Sequence, residues 1–223
     1  MPQDGSEITR VVRPKDMARV VYNGMSKWYD LLAGSSERKF TQAGLQKLDA
    51  RSGEKVLEIG FGTGHSLLAL AQRVGTVGKV YGIDLSEGML HVAANRLSKS
   101  GMSNRVELRC GDAAQLPFLD NFFDAVFLSF VLELFDTPEL PLVMRECWRV
   151  LGKIGRIGIV ALSKKDQIAV RLYEWVHMRL PAYVDCRPIF TRQTVEAAGF
   201  QVTELIERVM WGLPVDIIIA RTQ

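Results

Sequence analysis

The stretch VLEIGFGTGHS, Val56–Ser66, decides how the chain is read. An apolar run carries an acid, Glu58, and glycines follow at Gly60, Gly62 and Gly64. VLEI at 56–59 is short, apolar and stopped by glycine, the pattern of a strand buried on both faces. HSLLALAQRV comes next, with Leu67, Leu68, Ala71 and Val74 at helical spacing. The turn between them joins a strand end to the free N–H groups of a helix start. Glycine, lacking a Cβ, lets the backbone approach a ligand there.

The same alternation extends along the chain. KVYGIDL at 79–85 is a predicted second strand, and Ser86 a predicted cap for a helix through Met89, Leu90, Val92, Ala93 and Leu97. VELRCGD at 106–112 and FDAVFLSF at 123–130 read as the third and fourth strands. Val143 to Val150 is helical in pattern, and RIGIVAL at 156–162 reads as the fifth strand. Such alternation argues for parallel strands joined by right-handed crossovers. Gly199 ends a predicted helix near Arg192–Ala198. VTELIERVM and GLPVDIIIAR then read as two strands joined by a Gly-Leu-Pro turn, so that one strand runs antiparallel. The expected fold is α/β: a doubly wound, mostly parallel seven-stranded sheet with an antiparallel C-terminal strand and helices on both faces. We expect a single domain over 1–223. Its parts would be N-terminal lid helices at 1–45, a ligand-binding core at 55–162, a substrate cap at 163–190, and a closing helix and hairpin at 191–223.

Composition narrows the function classes. Hydrophobic residues make up 48% of the 223 and charged residues 24%, enough apolar material for a sizeable core. A formal net charge of +3 does not call for a nucleic-acid partner. Cys110, Cys147 and Cys186 are scattered, which fits a reducing compartment and gives no metal-ligand spacing; no metal is expected. The stretch MPQDGSEITR lacks the apolar core of a signal peptide, and no apolar run reaches about 18 residues. A cytoplasmic location is the expectation.

The spacing of the glycines narrows the ligand. A dinucleotide fingerprint places its third glycine five residues after the first, to make room for a pyrophosphate, but that position is His65. A nicotinamide oxidoreductase is therefore a poor match, and the phosphate loop with Gly-Lys-Ser/Thr is absent. Asp84 ends the second strand about 20 residues beyond the loop, where an acid can accept hydrogen bonds from ribose hydroxyls. Asp112 ends the third strand and could read an adenine amino group, and Glu58 could meet an ammonium group. A ligand with a ribose, an adenine and an amino-acid end, and no phosphate, suits all three acids. S-adenosylmethionine is such a ligand.

VLEIGFGTGHS, VYGIDLSEGML, GDAAQLPFLDNFFDAVFLSFVLE and RECWRVLGKIGRIGIV together resemble the successive motifs of the class I S-adenosylmethionine-dependent methyltransferases. GKVYGIDLSEGML, QLPFLDNFFD and an early Trp-Tyr-Asp resemble, within that superfamily, the ubiquinone/menaquinone-biosynthesis C-methyltransferases. The resemblance implies a methyl donor held by Gly60, Phe61, Gly62 and Gly64 at its methionine part, with Glu58 near the amino group. It implies Asp84 at the ribose, Leu85 and Met89 flanking the adenine, and Asp112 and Ala113 at the adenine edge. Ser129 would face the methionine part and the acceptor, and Tyr29 would come from the N-terminal lid. The sequence departs from the family in two places. Leu151-Gly152-Lys153-Ile154-Gly155 stands for the usual Leu-Lys-Pro-Gly-Gly, and Val131-Leu132-Glu133-Leu134 stands where the quinone enzymes carry an Arg-Asn pair.

The acceptor is less legible. Methyl transfer from a sulfonium is an in-line displacement in which orientation and exclusion of water can supply much of the rate. No general base stands out. Tyr22, Glu133, Trp175 and His177 are the candidate acceptor contacts. Plainer readings are an ordinary helix with one buried face for Trp175, an amphipathic-helix position for His177, a solvated helix start for Glu133, and core packing of the N-terminal helix for the neighbouring Trp28. Arg187 could face an anionic acceptor, join a salt bridge or sit at the surface. The helix around Ile168, Leu172, Trp175, Val176 and Leu180 also carries Lys164, Lys165, Arg171 and Arg179, a pattern compatible with peripheral membrane contact or with one buried face. A quinone-precursor ring carbon, a lipid amine and another small molecule stay open as acceptors. So does a protein that holds the cofactor for a different reaction or a regulatory role. Nothing in the sequence indicates the oligomeric state.

Overall fold

A computed structural model describes residues 34–165, 170, 173 and 187–222. Tyr22, Trp28 and Tyr29 of the expected lid, and Trp175, His177 and Cys186 of the expected cap, lie outside the described residues.

The chain order is α1 (Gly34–Leu48), β1 (Lys55–Ile59), α2 (His65–Val74), β2 (Lys79–Asp84), α3 (Glu87–Lys99), β3 (Val106–Cys110), β4 (Phe123–Ser129), α4 (Leu140–Val150), β5 (Leu151–Leu162), α5 (Thr191–Ala197), β6 (Gln201–Met210) and β7 (Leu213–Arg221). The strands form one seven-stranded sheet in the order β3-β2-β1-β4-β5-β7-β6. β1 to β5 run parallel; β7 is antiparallel to both β5 and β6.

The strands are apolar along their length because both faces are covered. Val56, Val80, Phe127, Val160 and Ile217 pack with Phe40 and Leu45 of α1, Leu67 and Leu70 of α2, and Ala93 of α3. Their neighbours Leu57, Leu128, Ile159 and Ile218 face the other way, onto Val143, Met144 and Cys147 of α4 and Val195 of α5. Each fully buried Leu, Ile or Phe contributes roughly 1.5–3 kcal/mol by leaving water. Ser86 caps α3 as its position predicts, accepting from Met89 N at 3.1 Å.

Two local readings are corrected. The hairpin between β6 and β7 turns on Trp211-Gly212, both at positive φ (52° and 83°), while Leu213 and Pro214 already belong to β7. A two-residue loop with positive φ at both positions matches the right-handed twist of the flanking strands. β5 begins at Leu151, not Arg156: Leu151 pairs with Phe123, and the register shifts before Ala125 pairs with Arg156. The intervening residues bulge outward, leaving Ile154 88% exposed.

The order of strands positions the site. From β1 the chain winds outward through β2 to β3, then returns to place β4 on the other side of β1. The loops after β1 and β4 therefore leave in opposite directions, and a crevice opens at the carboxyl ends of the strands.

Candidate active site

A cavity of about 450 Å³ fills that crevice, within the usual range for small-molecule sites. Its walls come from α1, the glycine loop, the ends of β2, β3 and β4, and the turn before α4.

The loop after β1 is held in a shape that glycine permits. Gly60, Gly62 and Gly64 all have positive φ, at 68°, 51° and 84°. A Cβ on Gly60 would lie 2.2 Å from Val131 Cγ2, so this glycine lets the β1 loop pack against the β4 loop. A Cβ on Gly62 would meet no protein atom within 4 Å. The space beside Gly62 belongs to the cavity, so the loop there is shaped for something other than protein packing.

Three acids lie along this wall. Glu58 is 2% exposed, and its Oε2 has no hydrogen-bond partner among the described residues. Burial pushes its carboxyl well above the ordinary range; a bond to Ser66 opposes this and the nearby Asp84 adds to it. A buried carboxylate with an idle oxygen is costly alone and becomes favourable beside a cation. Asp84 accepts from Gly62 N and Ser86 N, each at 2.9 Å. Burial raises its pKa, and these backbone bonds oppose the rise by holding the charged form. Asp112 accepts from Ala114 N at 2.9 Å and lines the cavity with Ala113, Leu85 and Met89. A cationic amino-acid end beside Glu58, a ribose at Asp84 and a base among Leu85, Met89 and Ala113 match the donors, acceptors and apolar surfaces present. The residues fit S-adenosylmethionine. Phe61 also lines the cavity and is 4% exposed.

The opposite end of the cavity was less legible in the sequence. Ser129 ends β4 and lines the wall, as the resemblance implies. Its hydroxyl lies 2.8 Å from Thr41 Oγ1 on α1, a contact that sequence spacing did not signal. Phe130, Val131, Leu134 and Phe135 make this end apolar, while Glu37, Asp136 and Glu139 add carboxyl groups to the wall. At the other side of the glycine loop, His65 Nδ1 lies 2.9 Å from Arg96 Nη1, so it is engaged as a helix-start residue.

Two readings change. Glu133 does not line the cavity and is not solvated; it is 0% exposed, and its Oε1 accepts from Leu162 N at 3.1 Å. It lies beneath the wall, not in it. Burial raises its pKa to about 8, the charge of Glu37 adds to the rise, and Arg187 opposes it. Arg187 is likewise 0% exposed and donates to Thr137 Oγ1 at 3.2 Å and to the Phe135 carbonyl. It is a buried brace for the turn between β4 and α4, not a surface charge.

Among the described residues no group of His, Cys, Asp and Glu has the arrangement of a metal site, and no helix is long and apolar enough to cross a membrane.

Comparison with known proteins agrees with this geometry. Residues 56–155 match the "Methyltransferase domain" family. The chain is 36% identical over 163 residues to the demethylmenaquinone methyltransferase of Geobacillus stearothermophilus, covering 71% of this chain and 68% of that one. It is 32% identical over 155 residues to the ubiquinone/menaquinone biosynthesis C-methyltransferase of Pseudomonas putida, covering 68% and 60%. Among solved structures, the cyclase SpnF superposes with a TM-score of 0.76 at 19% identity, covering 97% of this chain and 98% of that one. A SAM-dependent methyltransferase from Aquifex aeolicus gives a TM-score of 0.64 at 22% identity, covering 90% and 98%. At these identities the two structures speak for the fold alone.

Proposed function

Because the chain belongs to the class I S-adenosylmethionine-dependent methyltransferases, in the group of the quinone-biosynthesis C-methyltransferases, we propose that it methylates a ring carbon of a hydroxylated, quinone-type small molecule. Methyl transfer from S-adenosylmethionine follows from the family; the ring acceptor is our reading. Relatives 36% and 34% identical over 163 aligned residues are named demethylmenaquinone methyltransferases. The observation that carries the reading to this chain is the apolar end of the cavity, where Phe130, Val131, Leu134 and Phe135 lie next to Ser129. A flat aromatic ring buries well against that surface.

In this reading Glu58 holds the donor's ammonium group, Asp84 its ribose, and Asp112, Ala113, Leu85 and Met89 its adenine. Gly60, Phe61, Gly62 and Gly64 shape the loop at its methionine part, and Ser129 marks the junction of donor and acceptor. When bound, the donor supplies an electrophilic methyl group. The protein's part is to align acceptor carbon, methyl carbon and sulfur and to keep water out.

The test is transfer of label from methyl-tritiated S-adenosylmethionine to a demethylated naphthohydroquinone. Label in the ring methyl is the expected outcome. Binding of the donor without label in this acceptor, alongside transfer to an amine or to an oxygen, would replace the acceptor assignment and leave the family untouched.

A further inference from the structure

One carboxylate at the acceptor end has no role in holding the donor. Glu37 lies on α1, one turn before Thr41, whose hydroxyl reaches both the Glu37 carbonyl and Ser129 Oγ. That contact fixes α1 against the end of β4, where the donor and acceptor meet in the reading above. Glu37 lines the cavity there. Beneath the same wall, Glu133 keeps Oε2 without a hydrogen-bond partner among the described residues, and the Glu37 charge acts on it. Neither carboxylate forms an ion pair among the described residues. Glu37 is part-buried on that wall, so its carboxyl can take up a proton from a ligand in the cavity.

We propose that Glu37 is the proton-accepting residue of the reaction, drawing the proton from a ring hydroxyl of the acceptor. This rests on the ring-acceptor reading above. The hydroxyl O–H bond breaks and its proton moves to the Glu37 carboxylate. The oxygen's electron pair enters the ring, and the ortho carbon bonds to the methyl group as the methyl–sulfur bond breaks and its electrons stay on sulfur. The methylated ring carbon then loses its hydrogen as a proton, and the ring oxygen recovers a proton from Glu37. The net change is one ring hydrogen replaced by methyl, one sulfonium converted to a thioether, and one proton released.

Burial alone lifts the Glu37 carboxyl to about 7, which suits a base working near neutrality. The charged groups around it are Arg38 on α1 and Asp136 and Glu139 ahead of α4, all on the cavity wall, with Arg187 behind Glu133. His65, Glu58 and Asp84 face the cavity from the glycine-loop side.

The experiment compares wild type with Glu37→Gln and Glu37→Asp. Calorimetry should give the same affinity for S-adenosylmethionine in all three. On the naphthohydroquinone, Glu37→Gln should lose about 100-fold in kcat at pH 7, and Glu37→Asp should recover part of it. The wild-type rate should level off above about pH 7, whereas Glu37→Gln should keep rising as the ring hydroxyl ionises in water. In glutamate-labelled protein without any acceptor, a carboxyl carbon resonance should titrate near pH 7 and be missing from Glu37→Gln. Wild-type kcat and pH profile in Glu37→Gln, or a carboxyl titrating near the ordinary value of about 4.3, would overturn the proposal. If wild type does not methylate the hydroquinone, the acceptor reading fails by itself. The carboxyl titration, and the same comparison on whichever acceptor wild type does methylate, still decide the role of Glu37.

Discussion

Gly62 donates its backbone N–H to Asp84 Oδ2 at 2.9 Å, tying the glycine loop to the end of β2. Ser86 N–H occupies the other oxygen, so the carboxylate is fixed in orientation before any ligand arrives. Hydrogen bonds to a charged acceptor are worth roughly 1.5–3 kcal/mol each. Asp84→Ala should therefore weaken S-adenosylmethionine binding by about 100-fold or more. Titration calorimetry measures this directly, and an unchanged affinity would take Asp84 out of the site.

Neighbouring glycines should behave differently. Gly62→Ala adds a methyl group that no protein atom opposes, at a φ of 51°. The strain is about 1 kcal/mol, or roughly 2–4 °C in unfolding midpoint for a chain of this size. The methyl takes up ligand space, so cofactor affinity should fall by about tenfold or more. Gly60→Ala drives a Cβ to 2.2 Å from Val131 and should destabilise by roughly 2–3 kcal/mol through overpacking. Thermal unfolding beside calorimetry separates the two kinds of damage.

Glu133 makes stability depend on pH. Its folded pKa, about 8, lies above the ordinary 4.5. A raised carboxyl contributes stability that is complete below the unfolded pKa and is lost as pH climbs through the folded one. Glu37, raised to about 7, acts in the same direction. The ligand-free protein should lose on the order of a few kcal/mol between about pH 5 and pH 8. Glu133→Gln removes the ionisation while keeping an oxygen for Leu162 N–H, so its denaturation midpoint should vary less over that interval. Urea melts at several pH values test it, and parallel wild-type and variant curves would contradict it.

Arg156 joins three parts of the chain. It donates to the Leu48 and Asp49 carbonyls at the end of α1 and pairs with both Glu54 oxygens, at 2.9 and 2.7 Å. The side chains are only 11% and 18% exposed, so water does not replace these bonds easily. Arg156→Ala should cost about 2–3 kcal/mol, read as a lower urea midpoint with donor affinity little changed.

The places where sequence and structure differ have different physical reasons. Trp211 holds φ 52° without being glycine, so the hairpin turn fell two residues earlier than Leu213-Pro214 suggested. The register shift opposite Phe123 let β5 start at Leu151 through a stretch rich in glycine. Glu133 looked like a solvated helix start because a charged residue usually is one. Glu37 and Thr41 carried no motif at all. Thr41 meets Ser129 across a separation of 88 positions, and Glu133 meets Leu162 across 29.

The sequence by itself determined the alternating α/β order and the glycine loop and strand-end acids that line one side of the cavity. Both rest on local chemistry: apolar strands, a glycine loop, and acids at the strand ends that follow it. Only the tertiary structure decided what lines the opposite end of the cavity. Which side chains face that end depends on how α1 and the turn after β4 meet over the sheet, and burial is the largest cause of the raised pKa of both Glu37 and Glu133. Those are properties of surroundings, which no short stretch of residues contains.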